Sequence, residues 1–385
     1  MTIVLEFYII VCILLLLFDI VFLFIKNRRT KEYYPRNTSF EDTIREELEK
    51  YHQIGAFSAD FTDSLKKKLS KTKNMITLMS VVNEDPETKE LFREHVQAQL
   101  SEYADKSNYE QAYYTYLIST FDYSRKKVSG AFSSEFMSFL DSKSLYTFSN
   151  TMMAVYAFGE TNLLLQALDK VDERSGFYHK KLLVDGLLSA KVDFQEFNER
   201  VLERFDRYTP HTQDCLLDYL RMNGHDISKL CLRLMQNEKT EEQVRYSAMR
   251  YFVKFPDDAS KRAFMEILGE PEAVWVKQML AIQGLSHYKK DGQVRSLIEK
   301  KITSPNWFVR VNAVRYMYES GLTKEQVFDI LYMRDKYANE SLLYQYRDDK
   351  EMTRYIIDTV QMLEQQTGMN DVSSMDANVA APVGM

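Results

Sequence analysis

The chain of 385 residues is 45% hydrophobic and 28% charged, enough for one large helical domain or two ordinary ones. A formal net charge of -6 and a pI of 5.7 give no global attraction to nucleic acid, which is not expected as a partner. Cys12, Cys215 and Cys231 have no disulfide spacing, and 12 glycines and 7 prolines are too few for a turn-rich sheet fold.

Residues 3–25, including "IIVCILLLLFDIVFLFI" (9–25), form an apolar run broken only by Glu6 and Asp19. About 20 such residues span a hydrocarbon core of roughly 30 Å, so one transmembrane helix is expected over 1–25. No basic residue precedes Lys26 and no small-residue cleavage site follows the run, which favours a retained anchor over a signal peptide. Lys26, Arg28, Arg29 and Lys31 follow at once in a basic linker, 26–40. They predict a single-pass protein of the cell membrane with its amino terminus outside and the rest cytoplasmic. Asp19 then falls about 9 Å inside the cytoplasmic boundary at about 1.5 Å per residue. An acid at that depth is expected to meet a polar group on a membrane partner; a hydrated or protonated carboxyl near the interface is the plainer alternative.

Residues 41–104 have helical character without a longer period. Within them "SLKKKLSKTK" (64–73) clusters lysines. Lys66, Lys67 and Lys68 are candidates for contact with anionic lipid, where each basic residue contributes about 1 kcal/mol. The alternative is a solvated helix face.

From 105 to 365 a repeat is visible. In "WFVRVNAVRYMY", Val309, Ala313 and Met317 recur at i, i+4 and i+8, one helical face, and Gly321 ends the helix. Thr323 and Gln326 have capping-box spacing, and Val327, Ile330 and Leu331 mark the partner helix. Upstream, Pro271 is expected to start a helix with Val276 and Leu280 on its face and Gly284 closing it, followed by Val294, Leu297, Ile298 and Ile302. Before that, Val244, Ala248 and Phe252 are followed by Phe264, Ile267 and Leu268. Val244 to Val276 is 32 residues and Val276 to Val309 is 33, which is a repeat period. Carried backward, it lands on Leu216, Leu183 and Met153.

"EEQVRYSAMRYF" (241–252), "AVWVKQMLAIQG" (273–284) and "NWFVRVNAVRYM" (306–317) resemble HEAT-like helical repeats. The second departs at Lys277 and Leu280, where the others have Arg and Ala. The resemblance implies an all-α fold, one N-terminal transmembrane helix followed by a HEAT-like α-solenoid, whose stacked pairs offer long surfaces for extended partners. Arg245, Lys277 and Arg310 repeat with the motif and either line such a surface or form a polar ladder within the stack. Trp307 is either a partner anchor or a repeat-core residue.

Catalytic signatures are absent: no nucleophile elbow, Walker loop, H-E-x-x-H or C-x-x-C occurs. His211, Cys215, His225 and Cys231 are zinc-ligand types at intervals matching no common structural site. Asp214, His211 and Cys215 lie too close on one helix to supply an oriented base and an oxyanion hole together. No catalytic residue, cofactor, metal or small-molecule ligand is expected. A non-catalytic scaffold follows, with an enzyme site in the concave groove and a lipid or nucleic-acid binder using Lys66–Lys73 as rivals. Single-span bacterial proteins of similar layout imply, as partner, a membrane-embedded polysaccharide-making glycosyltransferase. The tail, 366–385, has neither periodicity nor aromatics and is expected to be disordered.

Overall fold

With few glycines and prolines to interrupt backbone pairing, helix is the only regular structure among the described residues. The computed structural model describes residues 2–33, 37–83, 85–124, 127–174 and 176–365, giving backbone alone for 2–5, 7 and 24–33. The expected disordered tail lies outside the described residues. Contacts divide the chain into two units, Met1–Arg204 and Phe205–Met385.

The first unit runs α1 (Thr2–Tyr33), α2 (Thr38–Ile54), α3 (Ala59–Leu69), α4 (Thr72–Val82), α5 (Pro86–Leu91), α6 (Arg93–Gln97), α7 (Leu100–Ala104), α8 (Asn108–Ser119), α9 (Gly130–Phe136), α10 (Leu145–Phe158), α11 (Thr161–Glu173), α12 (Lys180–Ser189) and α13 (Phe194–Arg204). The all-α expectation holds, but the transmembrane part of it is corrected. Among the described residues no helix is long and apolar enough to cross a membrane. Within α1, Glu6 and Asp19 place carboxylates in the apolar stretch, each costly in a hydrocarbon core. The side chains of Lys26, Arg28, Arg29 and Lys31, on which the orientation rested, lie outside the description.

Side-chain caps set where the first unit's helices begin. The Asn37 carboxamide accepts from the Phe40 amide, and the Ser58 and Ser144 hydroxyls do the same for α3 and α10. Ile44, Leu65, Leu78, Phe92, Tyr103 and Tyr114 are fully or nearly fully buried between these helices. From α8 onward a regular order appears, with α8, α10 and α12 packed in series and α11 against α13.

The second unit contains α14 (Pro210–Asn223), α15 (Ser228–Gln236), α16 (Glu242–Lys254), α17 (Asp258–Gly269), α18 (Trp275–Leu285), α19 (Gly292–Glu299), α20 (Trp307–Glu319), α21 (Lys324–Tyr332), α22 (Lys336–Tyr346) and α23 (Lys350–Gln365). Helices α14, α16, α18, α20 and α22 form one row, each packed on the next; α15, α17, α19 and α21 each pack on the row member that follows them in sequence, and α23 packs on α22. This order is compatible with a helical-repeat fold. The repeated stripe is its core: Val244, Ala248, Phe252, Leu280, Val309, Ala313 and Met317 are all buried, as are Val294, Ile298, Val327, Ile330 and Leu331. Burying a side chain of that size stabilises by about 1.5–3 kcal/mol, and the repeat makes the contribution recur.

Some local expectations are corrected. Pro271 lies in a turn, and α18 begins at Trp275. Gly284 does not close that helix but sits inside it, where a Cβ would come within 2.1 Å of the Phe264 ring; the absent side chain lets α17 approach. Gly321, at φ 80°, does follow the end of α20, and Thr323 and Gln326 do form a reciprocal capping box. In α10 the extrapolated period misses by one: Met153 is exposed, and Met152 occupies the core.

Candidate protein-interaction surface

The first-row helices of the second unit share a start. Each opens with one or two residues before its core stripe begins, and these are partly exposed. Trp275 opens α18, Trp307 and Phe308 open α20, and Tyr337 is the second residue of α22. They are 41%, 51%, 47% and 56% exposed, although large aromatic side chains ordinarily gain most by burial. Caps fix the starts of α20 and α22: the Asn306 carboxamide accepts from the Phe308 and Val309 amides at 3.0 and 3.3 Å, and Asp335 accepts from Ala338 at 2.8 Å.

Three of the four rings form a chain of contacts. Trp275 stacks on Phe308 with centroids 5.2 Å apart and planes 18° from parallel, and Trp307 meets Phe308 edge-on at 5.0 Å. The Arg310 guanidinium lies 4.7 Å from the Tyr337 ring centroid, a cation–π contact between consecutive row helices.

The three basic residues of the motif divide by role. The Arg245 guanidinium donates to the Asn237 and Thr240 carbonyls at 2.8 and 3.1 Å, fastening the turn ahead of α16. Arg310, 4% exposed, donates to the Ser304 carbonyl at 2.6 Å and fastens the turn ahead of α20 in the same way. Lys277 makes no such bond among the described residues; there Gln278 donates to the Ala273 carbonyl at 2.6 Å and fastens that turn instead. The arginines thus clamp loops, and Lys277 is a half-buried cation beside Trp275 in sequence. Direct rungs between row helices come from other positions: the Gln283 amide donates to the Asn312 carboxamide at 3.1 Å, and the Ser247 hydroxyl donates to the buried Asp214 carboxylate.

Trp307 therefore lies on the surface rather than in the repeat core. Trp275, Phe308 and Tyr337 were not singled out by sequence, yet a signal was present. Each stands two residues before the motif's basic position or its equivalent, in Trp275-Val276-Lys277, Phe308-Val309-Arg310 and Tyr337-Ala338-Asn339.

The remaining candidates are dispersed. Asp19 is exposed on α1. Lys66 and Lys67 are exposed in the last turn of α3, where cations favour the helix dipole, and Lys68 is half-buried over the Phe40 ring at 5.2 Å. Cys215 Sγ lies 4.0 Å from His211 Nε2, but both Cys215 and Cys231 are buried, and burial pushes the Cys231 thiol far above its usual range. Among the described residues no group of at least three His, Cys, Asp or Glu side chains is placed to hold a metal ion. The chain matches no protein-family model and no curated protein.

Proposed function

We propose that the chain is a HEAT-like helical-repeat scaffold whose second unit binds a protein partner through the aromatic row Trp275, Trp307, Phe308 and Tyr337. One observation carries this reading: Trp275, Phe308 and Tyr337, at equivalent places on successive row helices, are left about half exposed, with Trp307 next to Phe308 equally so. Tryptophan, tyrosine and arginine dominate protein-interface hot spots because they bring large, rigid contact area at small entropic cost. Arg310 backs the row, and Lys277 adds a cation not spent on an internal bond. The finer expectation, a membrane-embedded polysaccharide-making glycosyltransferase as the partner, came from resemblance of layout, and the residues of the aromatic row do not bear on it.

A photo-crosslinking side chain placed at 308 tests the proposal, with the same probe at exposed Glu266 on α17 as the reference position. Discrete partner adducts from 308 and none from 266 are expected. Equal labelling at both positions, or adducts only at 266, would remove the aromatic row from the function.

A further inference from the structure

The first unit holds a different aromatic site. On α8, Tyr109, Tyr113 and Tyr116 stand at i, i+4 and i+7, one helical face, with Ala112 between them. Opposite, α10 contributes Tyr146 and Asn150, also i and i+4, and its cap Ser144. Helices α8 and α10 are directly packed, and the Asn150 amide nitrogen donates to the Ala112 carbonyl at 2.8 Å, tying the two walls together. The result is a groove of about 460 Å³ lined by Asn108, Ser144 and these residues. That is within the roughly 300–1,000 Å³ of small-molecule sites.

The lining selects a ligand class. It contains no Lys or Arg, which an anion would need, and no aliphatic side chain larger than alanine, which an ordinary apolar pocket would have. Of the directed polar groups a sugar would use, the Asn150 amide nitrogen is bonded to the Ala112 carbonyl and the Ser144 hydroxyl accepts from the Thr147 amide. Four phenol rings line the same groove. Their negative π faces attract a diffuse cation whose methyl groups also bury apolar surface. Burial pushes the Tyr113 hydroxyl above its ordinary range, and the neighbouring Tyr103, Tyr109 and Tyr116 phenols add to the shift.

We infer that this groove is an aromatic cage for a small quaternary ammonium compound of choline size. Tyr109, Tyr116 and Tyr146 form its exposed rim, Tyr146 being 78% exposed, with half-buried Tyr113 deeper in the groove.

Calorimetric titration of the full chain with choline chloride tests the inference, beside the neutral isostere in which a tert-butyl group replaces the trimethylammonium. The cage predicts saturable choline binding and at least about tenfold weaker binding of the isostere. Tyr146→Ala, at a position too exposed to endanger folding, is expected to weaken choline about fivefold or more, and Tyr146→Phe to retain it. Equal affinity for choline and the isostere, absence of choline binding, or choline binding unaffected by Tyr146→Ala would each overturn the assignment.

Discussion

The Trp275 indole lies nearly parallel to the Phe308 ring, 5.2 Å between centroids, although both side chains are at the surface and belong to different row helices. Such a pair adds about 0.5–1.5 kcal/mol to the contact between two helices, too little to explain leaving so much apolar area in water. The arrangement makes sense as a prepared contact area.

Trp275→Ala and Phe308→Ala are accordingly expected to cost the isolated protein less than the about 3–5 kcal/mol of a core aromatic truncation, because roughly half of each side chain already meets solvent. Thermal unfolding of each variant checks this. A loss as large as that of a core truncation would mean that the rings hold the stack together.

Gly284→Ala is expected to be destabilising by about 1–3 kcal/mol despite alanine's better helix propensity, since the new methyl would enter the Phe264 ring. Combining it with Phe264→Leu should recover part of the loss, and urea denaturation of the single and double variants reads both effects. A stabilised single variant would show that α17 and α18 are not this close.

Ser247→Ala removes the hydroxyl that donates to the Asp214 carboxylate across the α14–α16 boundary, where both residues are buried. Leaving a buried carboxylate less well bonded costs about 1–3 kcal/mol. Chemical denaturation measures it, and Asp214→Asn with Ser247 intact is expected to cost less, because a neutral acceptor remains.

Acid sensitivity has a defined source in the first unit. The Lys50 ammonium donates to the Glu47 carboxylate at 2.7 Å and the Ser58 amide donates at 2.9 Å, and they hold Glu47 at about 2 against an ordinary 4.5. The folded value lies below the unfolded one, so the stabilisation is complete above pH 4.5 and disappears as pH falls toward 2. Glu47→Gln is expected to lower the midpoint of thermal unfolding at neutral pH, with the gap to the native sequence closing across that window. A gap independent of pH would assign the effect to packing.

The parts of the fold that follow a period were legible. Val244, Ala248, Val309, Ala313 and Met317 could be placed because a buried stripe repeats whatever the partner helix is. Positions set by one neighbour were not. Gly284 resembles a helix end until the Phe264 ring is seen beside it, and Met153 differs from buried Met152 only by the turn of α10. The anchor was read from an apolar run, whereas among the described residues no helix is long and apolar enough to cross a membrane. Of the site, Trp307 and Arg310 were recognisable by residue type. Trp275, Phe308 and Tyr337 required knowing that the first one or two residues of each row helix precede its core stripe.

The measurement that bears most directly on the central claim is quantitative affinity capture from native extract, comparing the intact chain with Trp275→Ala/Phe308→Ala and with Lys66, Lys67 and Lys68 all changed to Gln. The scaffold reading predicts a partner held by the intact chain and by the lysine variant and lost from the aromatic double variant at unchanged fold. Retention by the aromatic variant together with loss from the lysine variant would contradict it and shift the function to the charged face of α3.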